Sequence, residues 1–212
     1  MLQNNSVDMS TLLQCCFKMK NVSSLELSLI FSLSLSFVSG QLMLVGIIDV
    51  DSSHFLVELY AYEDIADLGI YTIISDGKVA TFPQDKINKA SFITVSEESL
   101  DKVQIFRQTK TGHVYINNNL DLSGGAGPVE LKKNGQPFDK YGEEGVVTWN
   151  YRHGWAGRKG GAHPSTSFIS TDWVYNRGKL STCWSQGNSF CEVPYPFDTF
   201  PGPAAGKTLS VG

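Results

Sequence analysis

The sequence is short of most things that catalysis, membrane spanning or nucleic-acid binding would need. It has 17 Lys and Arg against 21 Asp and Glu, a formal charge of −4. Without a cationic surplus there is no general attraction to phosphate backbones or anionic lipid, so nucleic acid is not an expected partner. No apolar run reaches the roughly 20 residues that cross a bilayer as a helix, so no membrane span is expected. The four His residues (His54, His113, His153 and His163) form no His-x-x-x-His pair, and none stands beside a Cys at ligand spacing. No Gly-x-Ser-x-Gly elbow occurs; Ser185-Gln186-Gly187 and Ser123-Gly124 do not supply one. Gly124-Gly125-Ala126-Gly127 lacks the Lys-Ser/Thr that completes a phosphate loop and reads as an ordinary turn. No catalytic residue, metal ligand or cofactor is therefore expected. Both Asn-x-Ser acceptors, at Asn4 and Asn21, fall before residue 40.

Glycine (20) and aromatics (11%) are plentiful, which suits strands joined by tight turns. Lys18 and Lys20 precede an apolar stretch over residues 25–38, marred by Glu26 and closed by Val38-Ser39-Gly40. That is the layout of a secretory signal peptide. Residues 1–40 are read as a leader, with Met19 as the true start. A buried helix or an uncleaved anchor is the competing reading. Removing the leader takes Cys15 and Cys16 with it and leaves Cys183 and Cys191. An exported chain with two Cys so close in sequence is expected to join them in a disulfide, worth about 2–3 kcal/mol on the chain-entropy account. A half metal site would need two further soft ligands nearby.

From Gln41 onward, period-2 alternation predicts strands over residues 42–48, 54–60, 67–74, 79–82, 91–95, 102–106, 113–116, 129–132 and 137–141. Asn134-Gly135 is a hairpin turn signal between the last two, and Ser75-Asp76-Gly77 ends the third. Residues 96–102 could form a single helical turn capped by Ser96, and no longer helix is expected. Beyond Gly142 the chain turns to long loops rich in Trp, Tyr, Gly and Pro, with a last strand pair over residues 148–151 and 169–175. The fold class is all-β, a sandwich with long aromatic C-terminal loops.

Three groups of residues carry a resemblance. Val57-Glu58-Leu59-Tyr60, Asp67-Leu68-Gly69-Ile70-Tyr71 and Thr81-Phe82-Pro83 follow one another as in the lamin-tail domain family. The hairpin from Gly127 to Gly142, with Lys133-Asn134-Gly135, is similar to that of its extracellular members. Trp149-x-Tyr151-x-x-Gly154-Trp155 and Phe168-Ile169-Ser170-Thr171-Asp172-Trp173 resemble the segments that follow it beside secreted nucleases. The resemblance implies an immunoglobulin-like β-sandwich over residues 41–176, used as an accessory or interaction module without catalytic residues. Residues 177–212, a disulfide-clipped extension and tail, lie outside it, and Ala61-Tyr62 departs from the family's Asn after the Tyr.

One segment carries a candidate site. Trp149, Tyr151 and Trp155 are interleaved with Arg152, His153, Arg158 and Lys159. Such a mixture suits stacking plus contact with an anion or a glycan, so Trp149, Tyr151, Arg152, Trp155, Arg158 and Lys159 are the expected ligand-binding residues. The competing reading is that the aromatics fill the open end of the sandwich and the cations face solvent. His153, His163 and Asp172 could form a zinc or nuclease site if the loops converged. Asp49-Val50-Asp51 or Glu143-Glu144 could contribute to calcium binding, although neither has alternating oxygen ligands. The expected function is a secreted, non-enzymatic binding or extracellular-matrix module whose partner is an extracellular protein or glycan. The alternative is a secreted metal-dependent hydrolase or nuclease, or an accessory domain to one.

Overall fold

A computed structural model describes residues 41–51, 54–108, 112–120, 122, 127–146, 151–177, 180 and 183–205. The expected leader, Trp149, most of the strand expected over residues 148–151 and the end of the tail lie outside the described residues.

The chain folds as an all-β sandwich of two sheets. The larger sheet is built on a long hairpin of β1 (Leu42–Asp51) and β2 (His54–Ala61). Four more strands complete it: β5 (Ser91–Ser96), β6 (His113–Ile116), β9 (Trp155–Arg158) and β10 (Trp173–Asn176). Their order is β10-β9-β1-β2-β5-β6. The smaller sheet has the order β4-β3-β7-β8, from β3 (Tyr71–Ser75), β4 (Lys78–Thr81), β7 (Val129–Lys133) and β8 (Gln136–Tyr141). Two tight turns set its register. Asp76-Gly77 and Asn134-Gly135 all have positive φ, the conformation that a two-residue turn matched to strand twist demands.

The two sheets differ in burial. β3 and β7 alternate buried and half-buried residues, as strands with one covered face do. In β2 every residue after His54 is buried, so both faces are covered. The main core lies between the sheets and includes Leu44, Val57, Leu59, Ile73, Leu131, Tyr141, Tyr151 and Trp173. A second core lies against the opposite face of the larger sheet. There Ile48, Leu56 and Trp155 meet Val103 and Phe106, together with Leu180, Cys183, Cys191 and Tyr195 from the C-terminal extension. A register shift between Leu44 and Gly46 in β1 reverses which side chains face which core. Leu44 and Ile47 therefore share the main core, while Ile48 joins the second.

Several expectations fail here. Residues 102–106 are not a strand: they lie within the helix α1 (Leu100–Arg107). β5 and β6 run parallel, and parallel neighbours need a crossover rather than a hairpin. The helix is that crossover. It buries Val103, Phe106 and Arg107 on one side, at spacings of three and four. Lys102 bridges back to Glu98 at 2.9 Å. Ser96 is not its cap; its Oγ accepts the Glu98 N–H at the end of β5, and Ser99 occupies the cap position. The strand expected over residues 169–175 begins only at Trp173, after a short 3-10 turn. Sequence patterning passed over β9 altogether.

Candidate functional site

The segment expected to meet a ligand is largely internal. Tyr151 is fully buried, its ring edge-on to Tyr141 at 5.5 Å. Trp155 is 9% exposed, donates its indole N–H to the Val193 carbonyl at 3.2 Å and packs on Tyr195. Arg158 is 8% exposed. These positions correct the expectation that Tyr151, Trp155 and Arg158 form a surface. The reason is the place of β9, between β1 and β10 in a sheet covered on both sides. Alternation then delivers Ala156 and Arg158 to the side of the main core, and Trp155 to the second core. Arg152 and Lys159 are exposed. Trp149 lies outside the described residues.

Arg158 belongs to a polar rivet between the sheets. Its Nη2 lies 2.8 Å from Asp139 Oδ1, its Nη1 donates to the His163 carbonyl at 2.8 Å, and its guanidinium lies 4.7 Å from the centre of the Trp173 ring. Asp139, on β8, also accepts the Leu44 N–H at 2.9 Å, the Ser165 N–H at 2.9 Å and the Lys140 N–H at 3.0 Å. One carboxylate thus ties β8 of the smaller sheet to β1 and β9 of the larger. Burial pushes the Asp139 carboxyl upward, and Arg158 and the backbone donors oppose that. Every one of those partners is a donor and none could accept a proton from the acid form, so the arrangement fits the carboxylate. Beside the rivet, Tyr141 is ringed by Tyr151, Phe168, Trp173 and Tyr175 at 4.8–6.4 Å. Of these, Tyr175 reaches the surface, at 37% exposure.

A second polar cluster lies under the C-terminal extension. Glu58, in the middle of β2, is 1% exposed. Its Oε2 accepts the Tyr195 hydroxyl at 2.8 Å and its Oε1 accepts the Asp198 N–H at 3.1 Å. The Asp198 carboxylate is engaged by Arg107 of α1 at 2.6 Å. Burial pushes the Glu58 carboxyl up to about 7, against the pull of its two donors. Space for the phenol comes from Gly46, directly across from Glu58 on β1: any Cβ there would collide with the Tyr195 hydroxyl. The extension is itself clipped by a disulfide between Cys183 and Cys191, both buried, with Cα atoms 5.1 Å apart.

No family model, no curated protein and no solved structure matches the chain.

The remaining candidates do not come together. Among the described residues no group of three or more His, Cys, Asp or Glu could hold a metal ion. His153 sits in the left-handed region, with its backbone N–H on Asp49 Oδ2 at 3.2 Å, and Asp49 is buried. Glu143 and Glu144 are exposed. A cleft of about 350 Å³ opens where the Asp76-Gly77 turn meets residues 127–130 and 140–146, lined by Asp76, Glu130, Lys140 and Glu144 among others. Among the described residues no helix is long and apolar enough to cross a membrane.

Asp139 and Glu58 were both passed over by sequence reasoning. The Glu58 signal was present: an acid inside an otherwise apolar run, where a strand buried on both faces must find it donors. The Asp139 signal was absent, because its position in Phe138-Asp139-Lys140 looks like any solvent-facing strand residue.

Proposed function

We propose that this chain is a secreted, non-enzymatic binding module of lamin-tail type that works in the extracellular space or its matrix. The observation that carries the reading is the disulfide Cys183–Cys191, set in the C-terminal extension; such bonds belong to oxidising compartments. The use of the buried charges supports the same reading. Asp139, Arg158, Arg107 and Asp198 are each engaged in holding layers together, rather than converging on a reacting atom. An immunoglobulin-like type of sandwich belongs to this proposal.

The contact surface is the edge strand β10. Val174 and Tyr175 are 43% and 37% exposed there, Ile169 just before it is 44% exposed, and Lys159 is exposed at the end of the neighbouring strand. An exposed apolar edge of this kind, beside a cation, fits an extracellular protein or glycan. Expression of the full chain in secreting cells tests the first half. The chain should reach the medium with an N-terminus at or near Gln41 and no free thiol, and retention inside the cell rejects it. Binding to a panel of matrix proteins and glycans tests the second half. Val174→Glu with Tyr175→Ala should lose at least tenfold in affinity, and equal binding rejects this surface. Stoichiometric zinc or manganese in the purified protein would reject a non-enzymatic role.

A further inference from the structure

We propose that Glu58 is a proton latch for the C-terminal extension: protonated, it keeps the extension closed over the outer face of the larger sheet, and ionised, it releases it. The inference does not depend on the ligand or surface proposed above.

The geometry accommodates the proton without moving any heavy atom. Tyr195 Oη lies 2.8 Å from Glu58 Oε2 and 3.4 Å from the Val45 carbonyl. With Glu58 ionised, the phenol donates to the carboxylate. With Glu58 neutral, its own O–H donates to Tyr195 Oη, and the phenol turns its hydrogen to Val45. Both states are hydrogen-bonded, but the ionised one holds a charge away from water without a paired cation.

The charged and titratable groups around Glu58 explain why it lacks one. Arg107, from α1, directs Nη2 to Asp198, while its Nε and Nη1 are buried without a hydrogen-bond partner. From the extension, the Asp198 carboxylate disfavours a second negative charge, whereas the Tyr195 hydroxyl and the Asp198 N–H, as donors, and the Arg107 guanidinium favour the ionised form, though less than burial opposes it. Across the sheet stand Gly46 on β1 and Thr94 on β5, neither charged. Thr94 is itself buried, and its Oγ1 has no hydrogen-bond partner. Release would let water reach Glu58 and expose the apolar outer face, including Ile48, Leu56, Phe106 and Trp155.

The test is amide hydrogen exchange of the full chain, corrected for the intrinsic pH dependence of exchange, read at Phe197 and Asp198 and at amides of β7. A carboxyl at about 7 when closed and near 4.5 when open makes the opening constant rise on the order of a hundredfold from pH 4.5 to 7, with a plateau above. β7 amides, which open only on global unfolding, should stay far more protected than the extension at every pH. In Glu58→Gln the extension should exchange with no such rise. An equal rise in Glu58→Gln overturns the proposal, as does β7 exchanging as fast as the extension. The imidazole of His54 also meets the extension, 4.9 Å from the Trp184 ring, so His54→Gln must keep the wild-type profile; losing it overturns the latch. If Glu58→Gln does not fold, Asp198→Asn serves. Removing the neighbouring negative charge, which holds the Glu58 carboxyl up, should move the plateau to lower pH, and an unmoved plateau overturns the proposal.

Discussion

Asp139 and Glu58 are both acids buried in strands, yet they have opposite surroundings. Asp139 meets a guanidinium and three backbone N–H groups. Glu58 meets one phenol and one N–H, while the nearest guanidinium is engaged with Asp198. Burial opposes ionisation at both sites, so the donors decide the outcome. Asp139 serves as a charged rivet between the sheets, and Glu58 as a group that takes up a proton. The difference tracks location: the rivet joins the two halves of the sandwich, whereas Glu58 joins the sandwich to its cover.

The largest effect that sharpens this comparison is Asp139→Ala. It leaves Arg158 buried without its carboxylate and orphans the Leu44 and Ser165 N–H groups, so unfolding in urea should show a loss of about 3–5 kcal/mol. A loss below about 1 kcal/mol would remove Asp139 from its role as rivet. Next comes Glu58→Gln, where the sign depends on pH. Its folded carboxyl lies at about 7, above the ordinary 4.5, so between these values the folded protein binds more protons than the unfolded one. The contribution of Glu58 is therefore fully present below pH 4.5 and is lost as pH rises to 7. Wild type should lose about 3 kcal/mol relative to Glu58→Gln across that window. Parallel stability curves for the two proteins would show that Glu58 is ionised like Asp139.

Smaller effects separate cover from sandwich. Replacing Cys183 and Cys191 together with Ser should cost about 2–3 kcal/mol on the chain-entropy account. That loss should appear as faster exchange in the extension, with β3 and β7 remaining far more protected than it. The smallest effect contrasts two neighbours in sequence. Lys159→Ala should stay within about 0.5 kcal/mol of wild type, while Arg158→Ala should fall nearer to Asp139→Ala. Similar costs for Lys159 and Arg158 would contradict the inward course of β9.

Much of the strand pattern was legible. The stretches through Leu56, Ile73, Ile93 and Leu131 alternate or run apolar as strands do, and Asn134-Gly135 marked its hairpin without any knowledge of the partners. The pairing of Cys183 with Cys191 was legible as well. The helix was not, because Val103, Ile105 and Phe106 also fit a short strand. Only the parallel alignment of β5 with β6 forces a crossover there. The expected ligand segment was misplaced for a related reason. Aromatic and cationic residues mark a surface only if one face of their strand is open, and nothing local reveals that β9 is covered on both sides.

The order of local choices alone therefore determined that this chain makes strands, where it turns, and which two sulfurs meet. Whether Arg158 faces water or Asp139, and whether Glu58 carries a charge or a proton, was decided by which strands lie side by side and by what the extension covers. The physical reason is range. Alternation and turn chemistry act over a few residues, whereas desolvation and donor supply depend on groups such as Leu44 and Asp139, or Glu58 and Asp198, that are distant in sequence and meet only in the folded protein.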